Sequence, residues 1–313
     1  MGYWAKCSES WKLDRIVSGT KCRIILSNIA VIRIWWVMYY LKKNVIGNVP
    51  VVEIKEAEYL EIIHSNRVLR CGLSIEEKFE IMNSNLKEFE LDVCNETMLN
   101  DAFRSMDYNG VFNFRILIER RLANLLTSTK TYVDQIPSAA RDSFHNQPEI
   151  LKDAKKYFNE MYDASFEYRF MEMIRNHVQH NGIAIHTLEH ASELTERGVQ
   201  NKVMVFSTQE QLAQNSKNKK ATLKETPESV DLLQASKVYV SRLTDVHHRI
   251  RSLTAANVTS ARKVFESAIA RYESAGGDCL GLTVFTEDTH HEPIQIALEF
   301  DDVRLMLLDR NKL

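Results

Sequence analysis

Apolar positions recur at alternating steps of four and three between Phe112 and Ile136: Ile118, Leu122, Leu125, Thr129, Tyr132 and Ile136. At 100° per residue this spacing holds them on one side of a helix, as a continuous stripe that has to be buried. Glu119, Arg120, Arg121 and Asn124 fall on the other sides. Pro137 has no N–H to give to the helix, so the helix is expected to stop there, with a polar loop running to Pro148. A second long helix is expected from about Pro148 to His180, with Tyr157, Met161, Phe166, Phe170, Met173 and Ile174 as its apolar face. Asn181-Gly182 offers a stop, because glycine tolerates the left-handed conformation past a helix end.

Upstream, the pattern turns helical from about Val52. Ser74 and Glu77 have the spacing of a capping box ahead of the amphipathic run Ile75–Leu91, and Asn109-Gly110 punctuates the chain. Downstream of Gly182 the periodicity weakens. Ile183–Leu194 and Val203–Phe206 suit a short hairpin, and Asn215–Lys220 a polar, basic loop. Thr226-Pro227-Glu228 reads as N-cap, first-turn proline and acidic first turn of a helix to about Leu253. A further helix from about Asn257 would end at Gly276-Gly277, giving a helical hairpin. The last stretches, Leu280–Thr286, Ile294–Phe300 and Val303–Leu308, alternate like strands. The fold class expected is therefore mainly α, with a small β element near the C-terminus. The expected divisions are an uncertain extension over 1–37, a helical domain over 38–185 and an α+β region over 186–313.

Composition changes this picture little. Ten Gly and five Pro in 313 residues favour long helices over an all-β fold. A formal net charge of −2 supplies no global basic field, so any nucleic-acid contact has to come from a local patch. The best patch is Lys217, Lys219, Lys220 and Lys224, which a solvated loop also explains. Five Cys without metal-ligand spacing read as free thiols in a reducing, cytoplasmic setting.

The first 37 residues stand apart. All four Trp (Trp4, Trp11, Trp35 and Trp36) lie there, and six Lys/Arg against two Asp/Glu give a charge of +4. Ile24–Leu41 is an 18-residue, mostly apolar run interrupted by Ser27, Asn28 and Arg33. A membrane anchor is possible, but the length is marginal and Arg33 is expensive in lipid. A cleaved signal peptide lacks its small-residue site. The expectation that follows is a start at Met38, with poor order over 1–37 and no membrane partner.

The candidate chemistry is Arg175-Asn176-His177-Val178-Gln179-His180, in the last two turns of the second long helix. Arg followed five positions later by His is a weak pattern alone, since Arg242 and His247 repeat it. Asn176 distinguishes the first match, as do its place before a Gly stop and its position after a second amphipathic helix. Cleaving RNA without a metal requires removing the 2′-OH proton, stabilising a phosphorane and protonating the 5′ oxygen. His180 has the intrinsic pKa to move a proton, and a helix C-terminus favours its imidazolium. Arg175 offers a fork of donors to a phosphate, and Asn176 shares a face with His180. A plainer reading pairs Arg175 with Glu172 on the adjacent turn. On one helix Arg175 and His180 point about 140° apart, so joint action calls for a symmetric pair of chains. His177 is a weaker candidate assistant.

The region from about Phe112 to Ile185 resembles the HEPN superfamily, small all-α domains of bacterial toxins and antiviral defence proteins. The likeness lies in a helix through Glu119, Asn124 and Tyr132, then a helix ending in Arg175-Asn176 and His180-Asn181-Gly182. It implies an antiparallel helical bundle and ribonuclease activity assembled where two such domains pair. It further implies RNA as a partner, a homodimer, an antitoxin or defence-system partner, and a polar residue such as Glu119 or Asn124 from the first helix. A non-catalytic interaction module with the same fold is the alternative, and a membrane-anchored helical protein using residues 24–41 a third reading. No cofactor or metal site is expected: His186 and His190 have i,i+4 spacing without a clear helix, and His247-His248 and His290-His291 are adjacent pairs.

Overall fold

The computed structural model describes residues 22–25, 33–103, 107–145, 147–180, 182–196, 198–287 and 292–312. The chain is mainly helical, with small antiparallel sheets. It divides into two compact units, one from residues 1–67 and 259–300, the other from residues 68–258 and 301–313. The long helices α1 (Glu56–Phe103) and α7 (Leu232–Ser274) contribute residues to both.

In the first unit, β1 (Cys22–Ile25) pairs antiparallel with β2 (Arg33–Trp36). Strands β3 (Tyr39–Lys43), β4 (Val51–Ile54), β8 (Leu282–Thr286) and β9 (Ile294–Gln295) form a sheet in the order β4-β3-β8-β9. Leu41 lies opposite Val52 on one side and Val284 on the other, and Tyr40 stacks on Phe285 with ring centroids 5.5 Å apart. The described part of the apolar run 24–41 is therefore strand except at Val37 and Met38. Its β-branched and aromatic residues suit a pleated surface as well as an apolar helix. The order expected for residues 1–37 concerns mostly residues outside those described. Among the described residues no helix is long and apolar enough to cross a membrane.

The second unit holds the stripe read from the sequence. Ile118, Leu122, Leu125, Thr129, Tyr132 and Ile136 are all buried on α2 (Tyr108–Asp142), which packs against α3 (Glu149–Ala164) and α4 (Phe166–His180). Asp107 caps α2, its carboxylate accepting the Gly110 N–H at 2.7 Å, so Asn109-Gly110 sits in the first turn. Pro137 does not stop the helix. Ile136, Pro137 and Ala140 are buried on the core face, and burying such groups, at about 1.5–3 kcal/mol for a large side chain, offsets the lost backbone bond. Arg121 on α2 bridges to Asp92 (2.6 Å) and Glu88 on α1.

The second predicted helix is two. Ser165 is extended (φ −120°, ψ 125°), closing α3 by an N–H bond to Met161 O and opening α4 through its hydroxyl, which accepts the Tyr168 N–H at 3.3 Å. Helix α4 ends at His180 as expected, and the Gly182 N–H reaches His177 O at 3.3 Å without a positive φ.

The predicted hairpin is present as β5 (Thr187–Thr195) and β6 (Gly198–Thr208), extended by β7 (Ser229–Asp231) into a sheet of order β5-β6-β7. Short helices α5 (Gln209–Ala213) and α6 (Lys220–Glu225) flank the loop Asn215–Lys219.

Other helix boundaries differ from expectation. Helix α1 begins at Glu56, after Val52 has served in β4, and Ser74 and Glu77 lie inside it rather than at a cap. Thr226 closes α6, its hydroxyl donating to Thr222 O at 2.8 Å; α7 starts instead after Asp231, which accepts the Gln234 N–H at 3.0 Å. No hairpin interrupts α7, whose segment contains no Gly or Pro; Thr254 sits within it, its hydroxyl donating to Ile250 O. Residues Val303–Leu308 are not strand but part of α8 (Glu299–Arg310). Asp301, Arg304 and Leu307, three apart, face inward, while Val303, Leu305 and Met306 remain exposed. The buried Asp301–Arg304 pair, with one bond of 3.0 Å, holds a helical spacing that the alternating apolar residues concealed.

Candidate functional site

Helix α4 carries the six-residue motif in its last two turns, and its two sides differ. Met171, Met173, Ile174 and His177 point into the core, whereas Asn176, Gln179 and His180 are exposed. Asn176 and His180 therefore share the solvent side. Arg175 is half-buried, and its guanidinium donates to the Asn176 side-chain oxygen, while its Nε has no hydrogen-bond partner among the described residues. The Glu172 carboxylate accepts instead from the Tyr239 hydroxyl at 2.7 Å.

His177, the weak candidate, is 5% exposed and fixed. Its Nδ1 lies 3.3 Å from the Asn215 side-chain nitrogen and 3.5 Å from that of Asn218, and the Ile183 backbone bonds the ring as well. Burial pushes its pKa below the usual histidine value. Asn218 also donates to Leu212 O at 2.8 Å, so the loop read as a basic patch is anchored by two buried asparagines. Lys217, Lys219, Lys220 and Lys224 of that stretch are exposed, and Lys219 reaches Tyr162.

Next to His177 stands His186, with ring centroids 6.3 Å apart and planes at 90°. His186 Nδ1 accepts the Thr208 N–H at 2.9 Å, so strand β6 holds it. Its pKa is lowered by burial first and by the neighbouring His177 second.

Glu119 on α2 accepts the Ile185 N–H at 2.7 Å and a bond from the Ala184 backbone. Burial raises its pKa, and these two bonds oppose the shift without cancelling it. Its carboxylate thus pins the segment that follows the motif helix. Asn124 lies elsewhere, lining a cleft with Lys78, Ile81 and Asn85 of α1.

The motif residues thus sort into three settings: exposed Asn176 and His180, half-buried Arg175 tied to Asn176, and structural His177 and Glu119 beneath them. The other sequence match falls apart: Arg242 is exposed and lies 3.5 Å from Asp245, while His247 is fully buried.

His247 belongs to a buried polar chain that the sequence reading missed. Tyr132 OH lies 2.8 Å from His247 Nδ1, and His247 Nε2 lies 3.3 Å from Glu76 Oε2. Arg251 Nε reaches both Glu76 oxygens, at 2.9 and 3.1 Å. Burial alone would raise the Glu76 pKa, but His247 and Arg251 together hold it below the usual range; burial lowers that of His247. The geometry fits an ionised Glu76 and a neutral imidazole that accepts the Tyr132 hydroxyl hydrogen bond at Nδ1 and donates its Nε2–H to Glu76. The usable signal was the i,i+4 spacing of His247 and Arg251 on α7.

Among the described residues no group of three or more His, Cys, Asp or Glu is arranged to hold a metal ion; His290 and His291 lie outside them. Comparison with protein-family models, curated proteins and solved structures finds no match.

Proposed function

We propose that the protein is a metal-independent endoribonuclease of the HEPN type, working as a homodimer in toxin–antitoxin or phage defence. The observation that carries this reading is the end of α4: Asn176 and His180 are exposed on its solvent side, and Asn176 holds the Arg175 guanidinium.

The reaction follows from what those groups can do. A base takes the 2′-OH proton, the 2′ oxygen attacks phosphorus, and the bond to the 5′ oxygen breaks. The products are a 2′,3′-cyclic phosphate and a 5′-OH end, the latter receiving a proton from an acid. His180 serves as acid or base, and Arg175 neutralises the phosphorane charge. Because Arg175 and His180 diverge by about 140° on one helix, the second copy of the motif supplies the complementary group across a two-fold axis.

One observation favours the alternative, a non-catalytic interaction module. Glu119 and His177, the supporting candidates, are both occupied in holding backbone and loop. Cleavage of total RNA in EDTA by the purified full chain, beside His180→Ala and Arg175→Ala, separates the two. Cyclic-phosphate ends from the wild type and none from either folded variant support the nuclease. Intact RNA with a folded wild-type dimer supports the module.

A further inference from the structure

The first turns of α2 leave two aromatic side chains unused by the core. Tyr108 is 84% exposed and Phe112 45%. They are four residues apart, on one side of the helix and about 6 Å apart along its axis. Arg115 follows on the same side, its guanidinium carbon 5.5 Å from the Phe112 ring centroid. Among the described residues Arg115 makes no ion pair. These three side chains form one wall of a cleft of about 380 Å³, and Ile185, His186 and Leu188 form the other. That volume lies within the range of small-ligand clefts.

The second wall ties the cleft to the motif. Ile185 is the residue whose N–H Glu119 holds, and the His186 ring lies edge-on to His177 of the motif. Glu119 is itself one turn beyond Arg115 on α2. Strand β5, which begins at the cleft, is the edge of its sheet among the described residues, with one side's backbone N–H and C=O groups facing no strand there.

From this juxtaposition we infer that the cleft between Tyr108, Phe112 and Arg115 and the start of β5 seats an unstacked nucleotide of single-stranded RNA. Its base lies on the aromatic rings and its phosphate on Arg115. The inference rests on the nuclease reading only for RNA as the ligand. Exposed flat rings offer a face to any base, and the Arg115 guanidinium beside them, with Glu119 in electrostatic reach, supplies the charge a phosphate needs and an apolar peptide does not. The cleft holds a base beside the segment that follows α4.

The test is fluorescence anisotropy with a labelled, mixed-sequence RNA of about ten nucleotides, a length within the usual range of single-strand sites. The full chain carries His180→Ala, so that the probe is not cut, and is compared with the same chain bearing Tyr108→Ala, Phe112→Ala or Arg115→Gln. All three residues are at least partly exposed, and circular dichroism and Tm check folding. Phe112→Ala is expected to weaken binding about tenfold, with a smaller loss for Tyr108→Ala. Arg115→Gln should reduce the salt dependence by about one phosphate contact.

Unchanged affinity and salt slope in all three variants overturn the cleft assignment, even if wild type cleaves RNA through His180. Loss of binding in the variants while wild type cleaves nothing overturns the nuclease reading and leaves the cleft standing. No RNA binding, with a protein captured through Phe112 instead, overturns the inference in favour of a protein-docking surface.

Discussion

The imidazole of His247 lies flat on the ring of Phe79, with centroids 3.7 Å apart and planes 3° from parallel. This stacking fixes the imidazole so that one nitrogen meets Tyr132 and the other meets Glu76, and Arg251 completes the carboxylate's coordination. Glu76 is the hub, since both His247 and Arg251 lose a partner if it is truncated. Glu76→Ala is expected to destabilise the protein by about 3–5 kcal/mol, the cost of leaving a buried cation unpaired. Glu76→Gln should cost less because its oxygen still accepts. Urea midpoints of both variants against wild type measure the difference; equal, near-zero shifts would show that the chain contributes nothing to stability.

Four histidines, His177, His186, His247 and His248, have pKa values lowered by burial. In the unfolded chain they titrate near about 6.5, so the unfolded state binds more protons below that pH. Their contribution is fully present above about pH 6.5 and is lost as pH falls toward the folded values. Glu76 acts in the same direction at lower pH, its folded pKa lying below its usual value of about 4.3. Stability should therefore drop between pH 7 and pH 5. His247→Gln should flatten that slope by no more than about 1.4 kcal/mol per pH unit, the limit for one proton. Denaturant midpoints across this pH range give the slope, and a curve rising toward acid would contradict the burial account.

Glu119 runs the opposite way. Its pKa is raised, so its contribution is fully present below the usual carboxylate value and is lost as pH rises through the folded one. Glu119→Gln keeps an acceptor for the Ile185 N–H and should fold as stably as wild type at neutral pH. Glu119→Ala orphans that N–H, at a cost of about 1–3 kcal/mol, and loosens the segment behind the motif. Hydrogen exchange at Ile185 reports it: equal protection in Ala and Gln variants would rule out the pinning role.

What was legible in the sequence was periodic and local. The stripe from Ile118 to Ile136 announced α2 because each position repeats a 3.6-residue spacing, and the end of α4 was readable from Asn181-Gly182. What escaped was set by distant partners. Ser165 divides two helices because its hydroxyl caps the second, which a helix-forming context hides. Strand β3 pairs with β8, far along the chain, so Tyr39–Leu41 looked like the end of an apolar run. Asp301 and Arg304 satisfy one another inside, reversing the expected polarity of α8. That Arg175–His180 would lie at the end of a helix was legible, but not that His177 and Glu119 would be enlisted to hold loop and backbone.

His177 and His180 share a helix end yet occupy opposite environments, and that separates structural from chemical roles. His177 is buried against Asn215 and Asn218; His180 faces solvent. His177→Ala takes one hydrogen-bond partner from each of two buried amides, which keep Asn218 Oδ1 and Leu212 O, and should cost about 1–3 kcal/mol. RNA cleavage by that variant should fall only in proportion to the fraction unfolded, and recover below its Tm. His180→Ala removes an exposed ring and should leave Tm within about 0.5 kcal/mol equivalents of wild type while abolishing cleavage. Parallel Tm and cleavage assays across both variants read the two axes independently. If His177→Ala kills cleavage in a fully folded protein, the imidazole does more than hold the Asn215–Lys219 loop. If His180→Ala lowers Tm instead of activity, the solvent side of α4 is a structural surface and the chemistry lies elsewhere.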